Sequence, residues 1–154
     1  LAGERCRHQR FRKGCAIYKD RPLPCRLWSC RWLVDADAAD LMRPDRSGYV
    51  IDMAPDYITL QDNFLGIGTH LEVVQIWVDP RRPAAHRDPA LRAYLERRAQ
   101  EGIGALVRYG SKNGLVLFAP SLNSTGEWVE HASGMRETEH SAADVIATLS
   151  GARP

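Results

Sequence analysis

DPALRAYLERRAQEG, residues 88–102, runs directly into IGALVRYGSKNGLVLFAP, residues 103–120, and this pair sets the fold class. Asp88 suits the N-cap of a helix, and Pro89 suits its first position, where an N–H is not needed. Leu91, Tyr94, Leu95 and Arg98 recur at spacings of three and four, so they share one helical face. Gly102 is the expected stop, because glycine enters the left-handed conformation without a Cβ penalty. Residues 103–120 read as a strand, a turn at Asn113-Gly114 and a second strand.

Upstream, YVIDMAPDYITL, residues 49–60, reads as two short strands around a turn at Ala54-Pro55-Asp56. FLGIGTH, residues 64–70, has two glycines but no Lys and no following helix, so it reads as a hairpin connection and not a phosphate loop. HLEVVQIWV, residues 70–78, is β-branched and alternating, as a half-buried strand requires. DPRRPAAHRDP is a proline-rich connector. EWVEHA adds a short edge strand, and the polar tail from Met135 holds a short helix at SAADVIATL before a disordered end. The order predicts an α+β fold: an antiparallel sheet with one or two helices on one face, preceded by an N-terminal cysteine-rich metal-binding loop. The expected division is a module over residues 1–34 packed on a body over 35–134, with a tail over 135–154.

All four cysteines fall in the first thirty residues, at Cys6, Cys15, Cys25 and Cys30. Four thiolates are what a tetrahedral zinc site or an iron–sulfur cluster needs. Only Cys25 and Cys30 come near the short spacing of common zinc knuckles. Pro22 and Pro24 prevent a continuous helix before Cys25, so the segment should wrap as a loop, with CRLWSCRWLVDADAADLM helical after it. Cys25 is expected in the loop and Cys30 in or at the start of the helix. His8 is a fifth candidate ligand. The competing reading is a pair of disulfides, which the absence of a secretory signal disfavours.

Within this segment, Gly14, Cys15, Ile17, Tyr18, Arg21, Pro22, Cys25, Arg26, Trp28 and Cys30 match a G-C-x-I-Y-x-x-R-P-x-x-C-R-x-aromatic-x-C pattern. In these residues the chain resembles the YkgJ-type zinc- or iron-chelating cysteine-cluster domain of bacterial proteins. The resemblance covers residues 6–33, and it lacks the family's upstream C-x-x-C-C cluster. It implies a single site held by Cys6, Cys15, Cys25 and Cys30, with Arg21, Arg26, Tyr18 and Trp28 around it. Zinc, which survives air and needs no assembly machinery, is the first choice of metal. A 4Fe–4S cluster is the second.

Charge is uneven. Residues 1–33 carry nine Lys/Arg against two acids, a net of +7, while the remainder carries twelve against seventeen, a net of −5. The basic set includes Arg5, Arg7, Arg10, Arg12 and Lys13, which either offset thiolate charge or touch nucleic acid. No apolar run approaches the ~20 residues of a membrane span, so no membrane partner is expected. The start lacks an apolar signal region, which points to the cytoplasm or another reducing compartment. No H-E-x-x-H, G-x-S-x-G or P-loop is present, and no catalytic constellation emerges. Three roles fit these features: a metal-stabilised structural or interaction component of a protein assembly, an iron–sulfur accessory to a modifying enzyme, or a nucleic-acid binder.

Overall fold

The computed structural model describes residues 6–10, 13–53, 56–61, 68–110 and 113–134. The N-terminal elements are β1 (Gln9–Arg10), β2 (Gly14–Cys15), α1 (Leu23–Leu27), α2 (Arg31–Val34), a 3-10 turn (Ala36–Ala38) and α3 (Pro44–Ser47). The rest of the chain forms β3 (Tyr49–Ile51), β4 (Asp56–Gln61), β5 (Gly68–Val78), a 3-10 turn (Pro83–Arg87), α4 (Pro89–Gln100), β6 (Gly104–Arg108), β7 (Asn113–Phe118), a 3-10 turn (Pro120–Leu122) and β8 (Val129–Gly134).

β5 organises the sheet. β3 pairs with its C-terminal part, Tyr49 opposite Val78, and β4 with its N-terminal part, Asp56 opposite Val73. The two short strands thus form one interrupted edge. On the other side, β6 lies parallel to β5, from Val73 opposite Gly104 to Trp77 opposite Arg108. β7 and β8 continue the sheet antiparallel. The sheet is therefore mixed, which corrects the all-antiparallel expectation. The cause is the connection: α4 carries the chain back along β5 before β6 begins, so β6 runs in the same direction. The turn at Asn113-Gly114 is also corrected, because both residues lie in β7, with Gly114 opposite Arg108. A two-residue turn there would slide Leu115 and Leu117 past the end of β6, whereas the observed register sets them against Val107 and Ala105.

α4 covers one face. Leu91, Tyr94 and Leu95 are buried in a core with Val74, Ile76, Ala105, Val107 and Leu117, and Ala99 is buried further along the helix. Asp88 caps the helix, accepting from the Ala90 N–H at 3.0 Å. Its other oxygen accepts the Tyr49 hydroxyl at 3.0 Å, tying the helix start to β3. Gly102, at φ +80°, ends the helix as expected, with the Ile103 N–H returning to the Arg98 carbonyl at 3.0 Å. On the opposite face Val73, Leu106 and Val116 are buried beside Ile58 and Phe118.

The run after Pro24 does not form the expected helix. It breaks into α1, α2 and a 3-10 turn, with Trp28, Cys30 and Asp35 in extended conformation between them. The extended stretch at Trp28 to Cys30 lets Cys30 bridge to Asp52 at the end of β3. Neither α1 nor α2 buries a single residue. The loop at 62–67 and the tail helix expected at SAADVIATL lie outside the described residues, as do Arg5 and Arg12. Among the described residues, no helix is long and apolar enough to cross a membrane. The four cysteines are free.

Candidate protein-docking face

Asp52 ties the N-terminal segment to the sheet. Its carboxylate accepts two indole N–H groups, Trp28 Nε1 at 3.1 Å from the segment and Trp77 Nε1 at 3.2 Å from β5. Its carbonyl accepts Arg31 Nε at 3.1 Å, and its N–H donates to the Gln75 carbonyl at 2.9 Å. Trp32, nearer the core, donates to the Leu41 carbonyl at 2.8 Å and packs on the helix-side cluster. The extended backbone at Trp28 aims its ring at Asp52, and α2 presents Arg31 to the same residue.

The segment held there is apolar on its outside. Tyr18 is 65% exposed, Leu27 55%, Trp28 50%, Leu33 65% and Val34 56%. Leu23, Met42, Met53 and Tyr57 are exposed as well, so the large exposed hydrophobics among the described residues all fall between Tyr18 and Tyr57. Scattered single exposures are ordinary, and what sets these apart is their concentration in one segment. Leu23 and Leu27 are four apart on α1, on one side of it. Exposed cations alternate with these groups: Lys19, Arg26 and, further back, Arg7, Arg10 and Lys13. Toward the C-terminal margin the charges mix: Asp37, Asp40 and Asp45 are exposed, and so are Arg43 and Arg46, with Asp45 paired to Arg43 and Asp37 to Arg98.

The cysteines do not assemble. Cys6, Cys15 and Cys25 are exposed, Cys25 within α1 and not in the expected loop. Cys30 is buried, capping α2 as expected for a helix start but facing inward. Among the described residues, no group of three or more His, Cys, Asp or Glu could hold a metal ion. The cause is local: the Trp28-to-Cys30 stretch bridges to β3 and takes Cys30 into the core, while α1 leaves Cys25 at the surface. This overturns the metal-binding loop, the zinc or 4Fe–4S cofactor, and the structural-metal and iron–sulfur roles. The site implied by the resemblance to the YkgJ-type domain falls with them. His8 accepts from Arg7 Nε at 3.1 Å. Arg21 stacks on Tyr18, its guanidinium carbon 4.1 Å from the ring centre. Arg26 is exposed in the last turn of α1. Of the side chains expected around a metal, Tyr18 and Arg21 are in contact, and the β1–β2 pairing sets His8 beside Cys15 through backbone bonds.

Sequence reading missed one buried polar cluster at the carboxyl ends of β5 and β6. His86 is buried in the 3-10 turn before α4, with Nδ1 2.8 Å from the Pro83 carbonyl, an acceptor only, so Nδ1 carries the proton. The Tyr109 hydroxyl lies 3.1 Å from the same nitrogen. Nε2 faces Glu130 Oε1 at 3.5 Å. Glu130 also receives Arg92 at 2.8 Å and Arg87 at 3.3 Å. Burial alone would raise the Glu130 pKa, but the bonds from Arg92 and Arg87 outweigh it and hold the group below its ordinary value. Burial pushes the Tyr109 hydroxyl up. A carboxylate taken up by two guanidiniums is a poor base, so the cluster reads as a clasp joining α4 to β8. No local motif marks it, because its members come from four separate stretches of the chain.

No family model, curated protein or solved structure matches the chain.

Proposed function

We propose that the protein is a docking module that binds a partner protein through the segment over residues 6–34 and the adjoining edge at Met53. The carrying observation is the concentration of exposed Tyr, Trp, Leu and Val on helices that bury nothing of their own. Trp, Tyr and Arg are the side chains that dominate binding energy at protein interfaces. Charge bears on the class of partner. An anionic polymer or an anionic lipid surface would suit Arg7, Arg10, Lys13, Lys19 and Arg26, and at the other margin would meet exposed Asp40 and two ion pairs, Asp37 with Arg98 and Asp45 with Arg43. Exposed aliphatic groups such as Leu23, Leu27 and Val34 gain nothing from a phosphate backbone. A protein with an apolar patch flanked by acidic groups complements the exposed hydrophobics and the cations beside them. Free thiols accord with synthesis in a reducing compartment.

The test is site-specific photo-crosslinking in the native host, with the reactive residue at Leu27 and, as a control, at exposed Thr125. A protein adduct of one mass from position 27, absent from 125 and lost when Lys19→Glu and Arg26→Glu are combined, is the expected result. A nuclease-sensitive or lipid adduct at position 27, or equal adducts at both positions, would overturn the reading.

A further inference from the structure

β4 is an open edge of the sheet: among the described residues it pairs only with β5. The ladder fixes which of its backbone groups face outward. The Gln75 carbonyl accepts the Asp52 N–H at 2.9 Å, so Gln75 directs its backbone toward the β3–β4 side. By alternation Val73, Leu71 and Thr69 do the same, and they lie opposite Asp56, Ile58 and Leu60. Tyr57, Thr59 and Gln61 therefore turn their N–H and C=O groups away from β5. Two side-chain bonds agree. Asp56 Oδ1 takes the Tyr57 N–H at 2.9 Å, so β5 does not hold it. Thr59 Oγ1 lies 3.3 Å from His70 Nδ1 across the strands, the close approach of a pair that exchanges no backbone bond.

Natural edges of this kind are guarded by Pro, Lys, a bulge or a covering segment. The β3 end of this edge has a cover, because Cys30 bridges to Asp52. From Tyr57 to Gln61, β4 is uncharged, free of Pro and in unbroken register with β5. Its one charge, Asp56, is held by Arg108 Nη2 at 3.1 Å. Tyr57 is 60% exposed, and Ile58 packs, partly buried, on the cluster of Val73, Leu106 and Val116.

We propose that β4 pairs antiparallel with β4 of a second copy, about a two-fold axis at Ile58. In this register the strand is its own complement. Tyr57 and Thr59 of one copy exchange backbone bonds with Thr59 and Tyr57 of the other, and Ile58 meets Ile58. Aromatic and β-branched cross-strand pairs of this sort stabilise a sheet. The Asp56 cap on the Tyr57 N–H gives way to a strand carbonyl. An axis at Thr59 would set Asp56 against Asp62 of the second copy, like charges directly opposite. An axis at Tyr57 would set Pro55, which has no N–H, against the Thr59 carbonyl. A net charge of +2 per chain opposes association little. The interface is isologous, so it closes at two copies and does not run on into a fibre. It uses none of the docking segment over residues 6–34, so either reading can fail alone.

The test is sedimentation equilibrium of the purified protein and of two variants at the outward position. Thr59→Pro removes a donor that faces away from β5, so the strand tolerates it. Thr59→Lys, at an exposed position, adds the edge charge that natural strands use against pairing. The expected result is a reversible dimer whose dissociation constant rises at least about tenfold in each variant, the loss of two symmetry-related bonds. Ile58→Cys reports the register. Opposed Cα atoms about 4.5 Å apart lie within disulfide range, so a mild oxidant should link position 58 to position 58, located by peptide mapping. Thr59→Cys should link far less. A protein that stays monomeric up to about 1 mM, a dimer that the folded Thr59 variants leave intact, or linkage as efficient from Thr59→Cys as from Ile58→Cys would overturn the proposal.

Discussion

Replacing Asp52 with alanine removes the carboxylate that holds two indoles from opposite sides of the junction between segment and sheet. Trp28 Nε1 at 3.1 Å is half exposed, so water can replace that bond, and its net loss is about 1 kcal/mol. Trp77 Nε1 at 3.2 Å is partly buried and would be left without its acceptor, which costs about 1–2 kcal/mol more. The backbone bonds to Arg31 and Gln75 survive the change, as does the bridge to Cys30. The sum is about 2–3 kcal/mol, a fall in Tm of roughly 5–10 °C for a chain of this size. The assay is urea unfolding monitored by tryptophan fluorescence, run as a double-mutant cycle with Trp28→Phe. Contact between the two residues requires a coupling of about 1 kcal/mol. Coupling below about 0.3 kcal/mol would mean that Trp28 does not rest on Asp52, and the account of how the docking face is held would fail. Asp52→Asn, which keeps one acceptor oxygen, should fall between wild type and alanine.

Three further outcomes are expected. Burial, with Asp88 beside it, pushes the Tyr49 hydroxyl well above its ordinary pKa, and burial moves Tyr94 and Tyr109 the same way. The unfolded chain ionises first, so the stability these groups supply is complete below about pH 10 and declines as pH rises further. Tyr49→Phe should flatten that decline and cost about 1 kcal/mol at neutral pH, read by urea unfolding at a series of pH values. Glu130 has the opposite sign: its stabilisation is present above the ordinary Glu value of about 4.3 and is lost as pH falls through its lower folded value. Glu130→Gln should therefore reduce the acid sensitivity of Tm and cost about 1–2 kcal/mol at pH 7. Thiol titration of the native protein should show three fast cysteines, Cys6, Cys15 and Cys25, and one that reacts only on unfolding, Cys30. The same titration after EDTA should be unchanged, and chelator-dependent exposure of a fourth thiol would revive a metal site.

Most of the body was legible in the sequence because its signals are local. Asp88, Pro89 and Gly102 bound α4 through capping chemistry that acts within a turn, and the β-branched run at 70–78 has the period of the strand it forms. The direction of β6 was not legible, since it depends on α4 acting as a crossover and not on any residue in β6. The Asn113-Gly114 pair misled because turn propensity yielded to the register that places Leu115 and Leu117 over the core. The cysteines misled for a similar reason. Spacing along the chain fixes neither which way a side chain faces nor whether an extended stretch carries one thiol into the core, as it does at Cys30. The exposed hydrophobics of α1 and α2 could not be separated from core residues by composition, because Leu, Trp and Val serve both. Only the packing shows that α1 and α2 bury none of them.

The docking face can carry a reporter at Leu27, exposed on the same side of α1 as Leu23. Cys25 lies two residues from each of them, on the opposite side of the helix, so its thiol serves as the control. The most direct measurement compares the rate at which a thiol reagent labels position 27 of a Leu27→Cys variant in the purified protein with the rate in native cell extract, at low and high salt. The account predicts slow labelling of position 27 in extract, restored at high salt and by Lys19→Glu combined with Arg26→Glu, because a bound partner shields it. Labelling of position 27 in extract as fast as in the purified protein would contradict it.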